Sequence, residues 1–299
     1  YTGGYDGREP DQEKKTWKST EHNIDCYVAF MKLYEVTRND DWKNKAQHAK
    51  NFLELMWNEA EGHFWIGTLD DGVTINKDPL VLDVNPWGLM ALASETEKYS
   101  KSIDWAEKNC AVTHHGFEGF DFNTDKDGIW FEGTAHMALA YKIVGQESKA
   151  DKYLSELRRA QTEAQNNNGK GIVATCHDGV TTGLDWEYFS RLHIGATAWY
   201  IMAERGYNPL KTSASLNLKL APTGPTTISP GNPMSFSLTF ENPSDPLPAR
   251  FQLFLLPEFL GRELSLVGPV NVTLPSGTAG PIPLRLALPR NIQLSFPGD

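Results

Sequence analysis

The chain has 299 residues, with 28 basic against 38 acidic side chains and a formal net charge of −10. A hydrophobic share of 40% and a charged share of 22% are typical of a folded globular protein and exclude a disordered chain. No stretch approaches the ~18 to 20 apolar residues that a transmembrane helix needs, so no membrane span is expected. An acidic chain without clustered Lys or Arg would repel a phosphate backbone, which excludes nucleic acid as the expected partner.

Apolar residues at helical spacing predict seven helices in the first two thirds of the chain. In chain order, they span residues 23–37, 42–58, 86–98, 103–110, 130–144, 150–165 and 187–205. The connections between most of them are short, which favours helical hairpins.

Every second predicted helix begins near a segment rich in carboxylates and aromatic residues. These segments are residues 19–25, 82–87, 129–134 and 185–188, roughly 50 to 60 residues apart. Their recurrence indicates a repeated hairpin unit. An acidic residue at a helix start is first of all a cap for exposed N–H groups. Together, however, the starts of alternate helices in a closed ring would point into one shared funnel.

The composition changes near residue 210, which predicts a boundary between domains 1–210 and 211–299. All nine Trp and all eight His precede this point, whereas 14 of the 18 Pro follow it. The second part consists of short apolar or alternating runs separated by Pro, Gly, Asn and Ser, a pattern typical of strands closed by turns. We expect an antiparallel β-sandwich that resembles immunoglobulin-like modules and has a structural, anchoring or interaction role.

The segments Trp-Phe-Glu-Gly-Thr at 130–134, Asp-Trp-Glu-Tyr at 185–188 and Ser-Thr-Glu-His-Asn at 19–23 resemble those of (α/α) toroid domains of carbohydrate-active enzymes. This group includes glycoside hydrolases, polysaccharide lyases and sugar epimerases, and the resemblance covers residues 1 to about 210. It implies a glycoside hydrolase with a Trp-lined funnel, a polysaccharide or oligosaccharide as partner, no required cofactor, and a location outside the cell or on its surface.

A full toroid has about twice as many helices as are predicted here. Either an N-terminal half precedes Tyr1, or a second chain completes the ring, or the helices form an open array. The half-ring also leaves a different class of function open. In that alternative the chain is a non-catalytic surface or filament subunit, with a retained helical scaffold and a β-sandwich that mediates assembly.

Glycoside hydrolysis needs one carboxylic acid to protonate the leaving oxygen and a second carboxylate to activate water or attack carbon. Glu132 is the predicted acid, because its apolar and aromatic neighbours would favour a protonated carboxyl group. The resemblance maps the second carboxylate onto Glu187 or Asp185, on either side of Trp186. Capping of a helix start is the alternative role for all three acids.

Further residues of the same segments are expected to bind the sugar. Flat aromatic rings suit the apolar C–H faces of sugars, and polar side chains can bind their hydroxyl groups. The predicted set is Glu21, His22, Asp25, Trp87, Trp130, Trp186 and His193. For the first three, an ordinary helix start capped by Ser19 or Thr20 is the alternative.

Residues 121–128 resemble a calcium loop, because alternate oxygen-bearing side chains followed by Gly let a chain wrap a hard cation. The predicted ligands are Asp121, Asn123, Asp125 and Asp127. The twelfth position, counted from Asn123, is Thr134 and not the bidentate Glu of the motif, so a solvated acidic turn is the alternative.

Two other sets of potential metal ligands have plainer interpretations. Adjacent side chains on a strand or helix point apart, so the pair His114-His115 is predicted to belong to a polar loop. Cys26, Cys110 and Cys176 lack the close spacing of a metal site. They are expected to be buried small hydrophobic residues, with one disulfide plus a free thiol as the alternative.

Overall fold

The computed structural model describes residues 1–212, 217–222, 234–242, 247–255, 264–274 and 277–286. The chain divides into two compact units, Tyr1–Thr212 and Ser213–Asp299. The first unit is mainly helical and carries the polar clusters considered below.

Eight α-helices lie in the described residues, all in the first unit. They are α1 Thr20–Thr37, α2 Asp40–Met56, α3 Val84–Ala91, α4 Thr96–Tyr99, α5 Lys101–Cys110, α6 Phe131–Ile143, α7 Glu147–Glu163 and α8 Ile194–Glu204. The helical class predicted for this part of the chain is confirmed. The segment predicted as one helix over 86–98 is divided, because the backbone leaves the helical region at Leu92 and a 3₁₀ turn at Ala93–Glu95 precedes α4.

The last helix begins seven residues later than the sequence pattern predicts, at Ile194 and not at Glu187. His193 has extended backbone angles, and its ring nitrogen lies 3.1 Å from the Ala196 amide, as in an N-cap. Residues Glu187–Tyr188 pair instead with Val180–Thr181 in a short antiparallel ladder. Glu187 and Asp185 therefore do not lie at a helix start.

The helices pack as hairpins, with α1 against α2, and α6 against both α7 and α8. In addition α1 contacts α3, and α3 contacts α6. A continuous row of neighbours thus runs α1, α3, α6, α8. The central member, α6, has ten of its 13 residues buried, which fixes its first turn firmly in the core.

Short antiparallel hairpins connect the helices of the first unit. The ten strands are β1 Gly4–Asp6, β2 Glu13–Lys15, β3 Trp57–Asn58, β4 His63–Phe64, β5 Gly67–Thr68, β6 Ile75–Asn76, β7 Ala111–His114, β8 Phe117–Phe120, β9 Val180–Thr181 and β10 Glu187–Tyr188. They pair in succession, each odd-numbered strand with the next. The β7–β8 hairpin has the two-residue turn His115-Gly116.

The described part of the second unit consists of antiparallel strands. They are β11 Asn217–Pro222, β12 Met234–Asn242, β13 Leu247–Leu255, β14 Leu264–Leu274 and β15 Gly277–Leu286. One sheet has the order β11-β12-β15 and the other pairs β13 with β14. The immunoglobulin-like sandwich stays a prediction.

None of the helices in the described residues has the length and apolar character needed to cross a bilayer. Cys26, Cys110 and Cys176 are free thiols, and the last two are buried. Of the two alternatives for the cysteines, unpaired residues that pack as small hydrophobic groups are therefore the one found.

Candidate functional site

The starts of α1, α3, α6 and α8 bring four titratable side chains into one cluster. Glu21 lies in the first turn of α1, Asp83 caps α3, Glu132 lies in the first turn of α6, and His193 caps α8. Glu21 and Asp83 are hydrogen-bonded to each other, and both interact electrostatically with Glu132. Glu132 in turn contacts His193 at 3.2 Å. Four elements far apart in sequence therefore define one site.

Burial raises the pKa of both members of the Glu21–Asp83 pair. Asp83 is 6% exposed, and burial, followed by the negative charge of Glu21, raises its pKa well above the usual range of an aspartate. Burial is also the main cause that raises the pKa of Glu21. Two carboxyl groups in contact at a partly buried site cannot both be ionised at low cost, so their contact favours protonation of one of them.

Glu132 contacts the imidazole ring of His193. Its Oε2 lies 3.2 Å from His193 Nδ1, and this hydrogen bond is the main cause that raises the pKa of His193. The same nitrogen lies 3.1 Å from the Ala196 amide nitrogen. One ring nitrogen cannot donate to the carboxylate and accept from the amide in the same state. Protonation of Nδ1 therefore exchanges the cap of α8 for an ion pair with Glu132.

Gly195 lets the backbone of α8 approach the Glu132 carboxyl group closely. A Cβ atom built at Gly195 would lie 2.6 Å from Oε2 and 2.8 Å from Oε1. Both distances are well below a normal contact. Any side chain at position 195 would thus displace the carboxylate or the helix start.

Aromatic rings surround the buried end of the cluster. His136, one turn after Glu132 on α6, is 1% exposed and packs edge-on against Trp87, Trp130 and Trp199, with ring centroids 5.5, 5.3 and 4.4 Å away. Burial lowers the pKa of His136 to about 4, so its ring is neutral at physiological pH. Its Nε2 lies 3.9 Å from Glu132 Oε1, which is too long for a hydrogen bond.

A second group of rings leads from the cluster to the surface. Tyr188 stacks on Trp130 with centroids 5.6 Å apart, and Trp186 packs edge-on against Tyr188 at 4.8 Å. Trp186 is 49% exposed, whereas Trp130 is 3% exposed. Burial and the neighbouring carboxylates raise the pKa of Tyr188, which keeps its hydroxyl group protonated. The aromatic side chains thus form a continuous band from core to solvent.

The structure brings together five of the residues selected from the sequence, namely Glu132, Glu21, Trp87, Trp130 and His193. His22 and Asp25 are exposed on α1 and interact electrostatically with Glu21. Trp186 lies at the outer end of the aromatic band. The side chains of Asp185 and Glu187 are exposed, and no interaction of either with the carboxyl cluster is recorded among the described residues.

Sequence reasoning did not select Asp83, Tyr188 or Trp199 for this site. Asp83 lies in the recurrent segment 82–87, so a signal was present: every other such segment contributed a polar residue to the predicted set. Tyr188 likewise belongs to the segment 185–188. For Trp199 there was no signal beyond its place on a helix, because only the fold shows that it packs on His136.

The acidic loop brings three of its four predicted ligands together. Asp121, Asp125 and Asp127 each offer a carboxylate oxygen, and these atoms lie within 4.8 Å of one another. Asn123 Oδ1 instead accepts a hydrogen bond of 2.6 Å from the Asp125 amide. Burial is the main cause that raises the pKa of Asp121 to about 8. The raised pKa favours the protonated form of this carboxyl group.

Calcium fits this loop in part. Asp127 Oδ1 is buried and accepts no hydrogen bond from the described residues, as expected for an oxygen that could face a cation. The other oxygens are partly engaged: Asp127 Oδ2 accepts from the Thr181 amide at 3.0 Å, and Asp125 Oδ2 from the Thr181 hydroxyl at 2.6 Å. These bonds also stabilise an acidic turn without any ion.

A distinct cavity lies elsewhere in the first unit. It has a volume of about 650 Å³ and is lined by residues 59–62 and by polar and aromatic side chains of α5. None of the clustered residues at the starts of α1, α3, α6 and α8 lines it. The cavity and the carboxyl cluster are therefore separate features of the first unit.

The chain matches no protein-family model and no curated protein sequence. Among solved structures it is similar to D-mannose isomerase, with 15% identity, a TM-score of 0.46, and coverage of 67% of this chain and 56% of that chain. It is also similar to a family 76 glycoside hydrolase from a bovine Bacteroides thetaiotaomicron strain, with 14% identity, a TM-score of 0.44 and coverage of 68% and 48%. A family 88 glycosyl hydrolase from Bacteroides vulgatus gives 11% identity, a TM-score of 0.43 and coverage of 64% and 63%. The chain spans about half the length of the first two.

We expect Asp83→Asn to stabilise the protein more at about pH 8 than at about pH 5. A carboxyl group with a raised pKa binds its proton more tightly in the folded state, so stability falls as pH rises from the unfolded towards the folded pKa. Asparagine carries no charge and keeps the oxygen that accepts from the Val84 amide. Thermal unfolding of both proteins at the two pH values measures the effect. Asp104→Asn, in the first turn of α5, is the control. A gain that does not depend on pH would contradict the prediction.

Calcium is expected to raise the melting temperature of the protein through the acidic loop. An ion that binds only the folded state adds RT ln(1 + [L]/Kd), about 2.7 kcal/mol when its concentration is 100 times Kd. Thermal unfolding with calcium, with magnesium and with chelator measures the effect, and Asp127→Asn should reduce the calcium response. An identical melting temperature in all three conditions would identify the loop as a turn without an ion.

Proposed function

We propose that the protein is a carbohydrate-active enzyme, a glycoside hydrolase that cleaves an oligosaccharide or polysaccharide at the starts of α1, α3, α6 and α8. One observation carries this proposal. Three carboxyl groups from three helices share one partly buried site, and their surroundings differ: burial raises the pKa of Asp83 and of Glu21, whereas Glu132 contacts the imidazole ring of His193. Such a difference is the usual basis for assigning acid and base roles to two carboxyl groups.

The Glu21–Asp83 pair supplies the general acid. A leaving glycosidic oxygen must receive a proton as its bond to the anomeric carbon breaks. Because the pKa of Asp83 is raised by burial and by Glu21, the pair still holds a proton at the pH where an ordinary aspartate has lost it. Transfer of this proton to the leaving oxygen leaves a carboxylate, which water later reprotonates.

Glu132 supplies the second carboxylate. Its Oε2 lies 3.2 Å from His193 Nδ1, and its place in the first turn of α6 puts it near the positive end of the helix dipole. This role differs from the acid role that the sequence predicts for Glu132. The carboxylate either removes a proton from the attacking water or attacks the anomeric carbon itself.

The aromatic band supplies the surface on which sugar rings bind. Trp130 and Tyr188 stack beside the carboxyl cluster, and Trp186 continues the band to solvent. Aromatic faces cover the apolar C–H surfaces of sugars, while the protonated Tyr188 hydroxyl group can bind a sugar oxygen. This arrangement supports a substrate of several sugar units that enters from the Trp186 side.

The proposal also covers the cofactor requirement, the location and the partners of the protein. The two-carboxylate reaction requires no cofactor, and an extended sugar substrate is met outside the cell or on its surface. We further propose that a second chain completes the helical ring. The antiparallel strands of the second unit then serve attachment or assembly.

We expect Glu132→Gln to lower the rate of glycoside cleavage on the order of 10²- to 10⁴-fold, because it removes the anionic group but keeps the size of the side chain. Release of reducing sugar from a panel of oligosaccharides measures the rate, and thermal unfolding verifies the fold. Glu147→Gln is the matched control, since Glu147 also lies in the first turn of a helix and is exposed. Failure of the unaltered protein to cleave any member would favour the non-catalytic surface subunit.

A second expected outcome concerns the space beside Glu132. Gly195→Ala should lower kcat with little change in the melting temperature, because the new methyl group displaces the end of a flexible side chain. Gly171→Ala is the control: a Cβ atom there lies 3.4 Å from its nearest neighbours, an ordinary contact. Equal activity of the two variants would show that the position of the Glu132 carboxylate does not limit the reaction.

A further inference from the structure

Three histidines and a cysteine form a second polar cluster that the proposed reaction does not use. His114 and His115 come from the end of β7 and its turn, whereas Cys176 and His177 come from the loop before β9. The three imidazole rings lie 4.9 Å apart, centroid to centroid, in every pairing. His114 Nδ1 lies 3.9 Å from Cys176 Sγ. Two segments about 60 residues apart in sequence thus bring imidazole nitrogen and thiol sulfur atoms close together.

The turn between β7 and β8 explains why the adjacent histidines do not point apart. His115 and Gly116 have φ angles of 49° and 79°, as in the type I′ turns of two-residue hairpins. The left-handed region is natural for Gly but uncommon for His. In this conformation the His115 ring stacks on His114, with an interplanar angle of 29°. The sequence-based expectation that the two rings diverge is therefore wrong.

The donor set is that of a borderline or soft cation. One atom each from His114, Cys176 and His177 lies within 4.8 Å of the other two. In a tetrahedral zinc site, bond lengths of about 2.1 and 2.3 Å place a nitrogen and a sulfur about 3.6 Å apart. The 3.9 Å between His114 Nδ1 and Cys176 Sγ is close to this value. Calcium and magnesium prefer oxygen ligands and do not suit this cluster.

The surroundings of His177 resemble the outer shell of a zinc site. Its Nδ1 lies 2.8 Å from the Asp178 carbonyl oxygen and its Nε2 lies 3.0 Å from the Asp127 carbonyl oxygen. A neutral imidazole can donate to only one of the two. If one nitrogen binds a metal ion, the other keeps its N–H bond to a carbonyl, which is the usual arrangement of metal-bound histidine.

We propose that His114, Cys176 and His177 bind one zinc ion, with His115 or water as the fourth ligand. Binding converts the Cys176 thiol to a thiolate and releases one proton to solvent, so the zinc-thiolate bond replaces the S–H bond. The Cys176 sulfur also accepts a hydrogen bond from the Ile129 amide at 3.2 Å. The ion therefore joins the β7–β8 turn to the segment that leads into α6.

The site is distinct from the acidic loop, although the two are neighbours. Asp127 contributes its side chain to the carboxylate group and its backbone carbonyl to His177. Oxygen atoms line the acidic loop, whereas nitrogen and sulfur atoms line the histidine–cysteine cluster. A hard and a soft cation should therefore select different positions on the same protein.

The test is titration of the reduced, full-length protein with zinc and with cobalt. Calorimetry is expected to give one zinc ion per chain, and cobalt to give a sulfur-to-metal charge-transfer band. Cys176→Ser should abolish that band, and His114→Gln should weaken zinc binding by more than the roughly 10- to 100-fold typical for loss of an outer partner. Cys26→Ser, which removes a thiol outside the cluster, should change neither result.

Three outcomes would overturn the proposal. They are the absence of a one-to-one zinc complex in the unaltered protein, a cobalt complex without a sulfur band, and a band that survives Cys176→Ser. Asp125→Asn separates the two neighbouring sites, because loss of zinc binding in this variant would assign the ion to the acidic loop. Circular dichroism of each variant verifies that the helices are formed.

Discussion

The first unit depends on how three carboxyl groups are accommodated together with little access to water. An isolated buried carboxylate costs several kcal/mol or more, so such groups must be protonated, paired or hydrogen-bonded. Here burial raises the pKa of Glu21 and of Asp83, which favours a protonated carboxyl group in this pair, and Glu132 contacts His193. All three acids lie at helix N-termini, where the helix dipole also favours negative charge. The meeting of four helix starts is thus the condition under which the cluster can exist.

Much of the helical organisation follows from the sequence, because burial of one face imposes a period that can be read directly. Recurrence of acidic and aromatic segments also predicts that alternate helix starts share a function, and Glu21, Glu132 and Trp87 come from three such segments. The period does not show which residue of a segment faces inward, since a shift of one position turns a helical side chain by about 100°. For that reason the sequence pattern did not single out Asp83, which caps α3, as a site residue.

The segment at residues 185–188 shows a different limit of helical periodicity as a guide to structure. Residues 187–205 contain enough apolar residues for one helix, yet Glu187 pairs with Thr181 in a strand and α8 begins only after His193. A backbone pairing between distant positions competes with local helix formation, and helical spacing carries no information about it. The same holds for His114 and Cys176, which are 62 positions apart. They meet because β7 pairs with β8, which packs against α6, and because Cys176 contacts Ile129 just before α6.

Buried polar groups without hydrogen-bond partners bear on the choice between the proposed enzyme and a non-catalytic helical scaffold. His136 is 1% exposed and packs among Trp rings, and neither of its nitrogens nor the indole nitrogen of Trp87 has a hydrogen-bond partner among the described residues. Each such group costs about 1 to 3 kcal/mol. A helical scaffold kept only for assembly would gain stability from apolar residues at these positions, since nothing would oppose their substitution. A site that binds a ligand rich in hydroxyl groups has a use for unpaired donors and acceptors, because the ligand supplies the missing partners. The proposed sugar-binding role would give these groups hydrogen-bond partners, whereas packing alone gives them none.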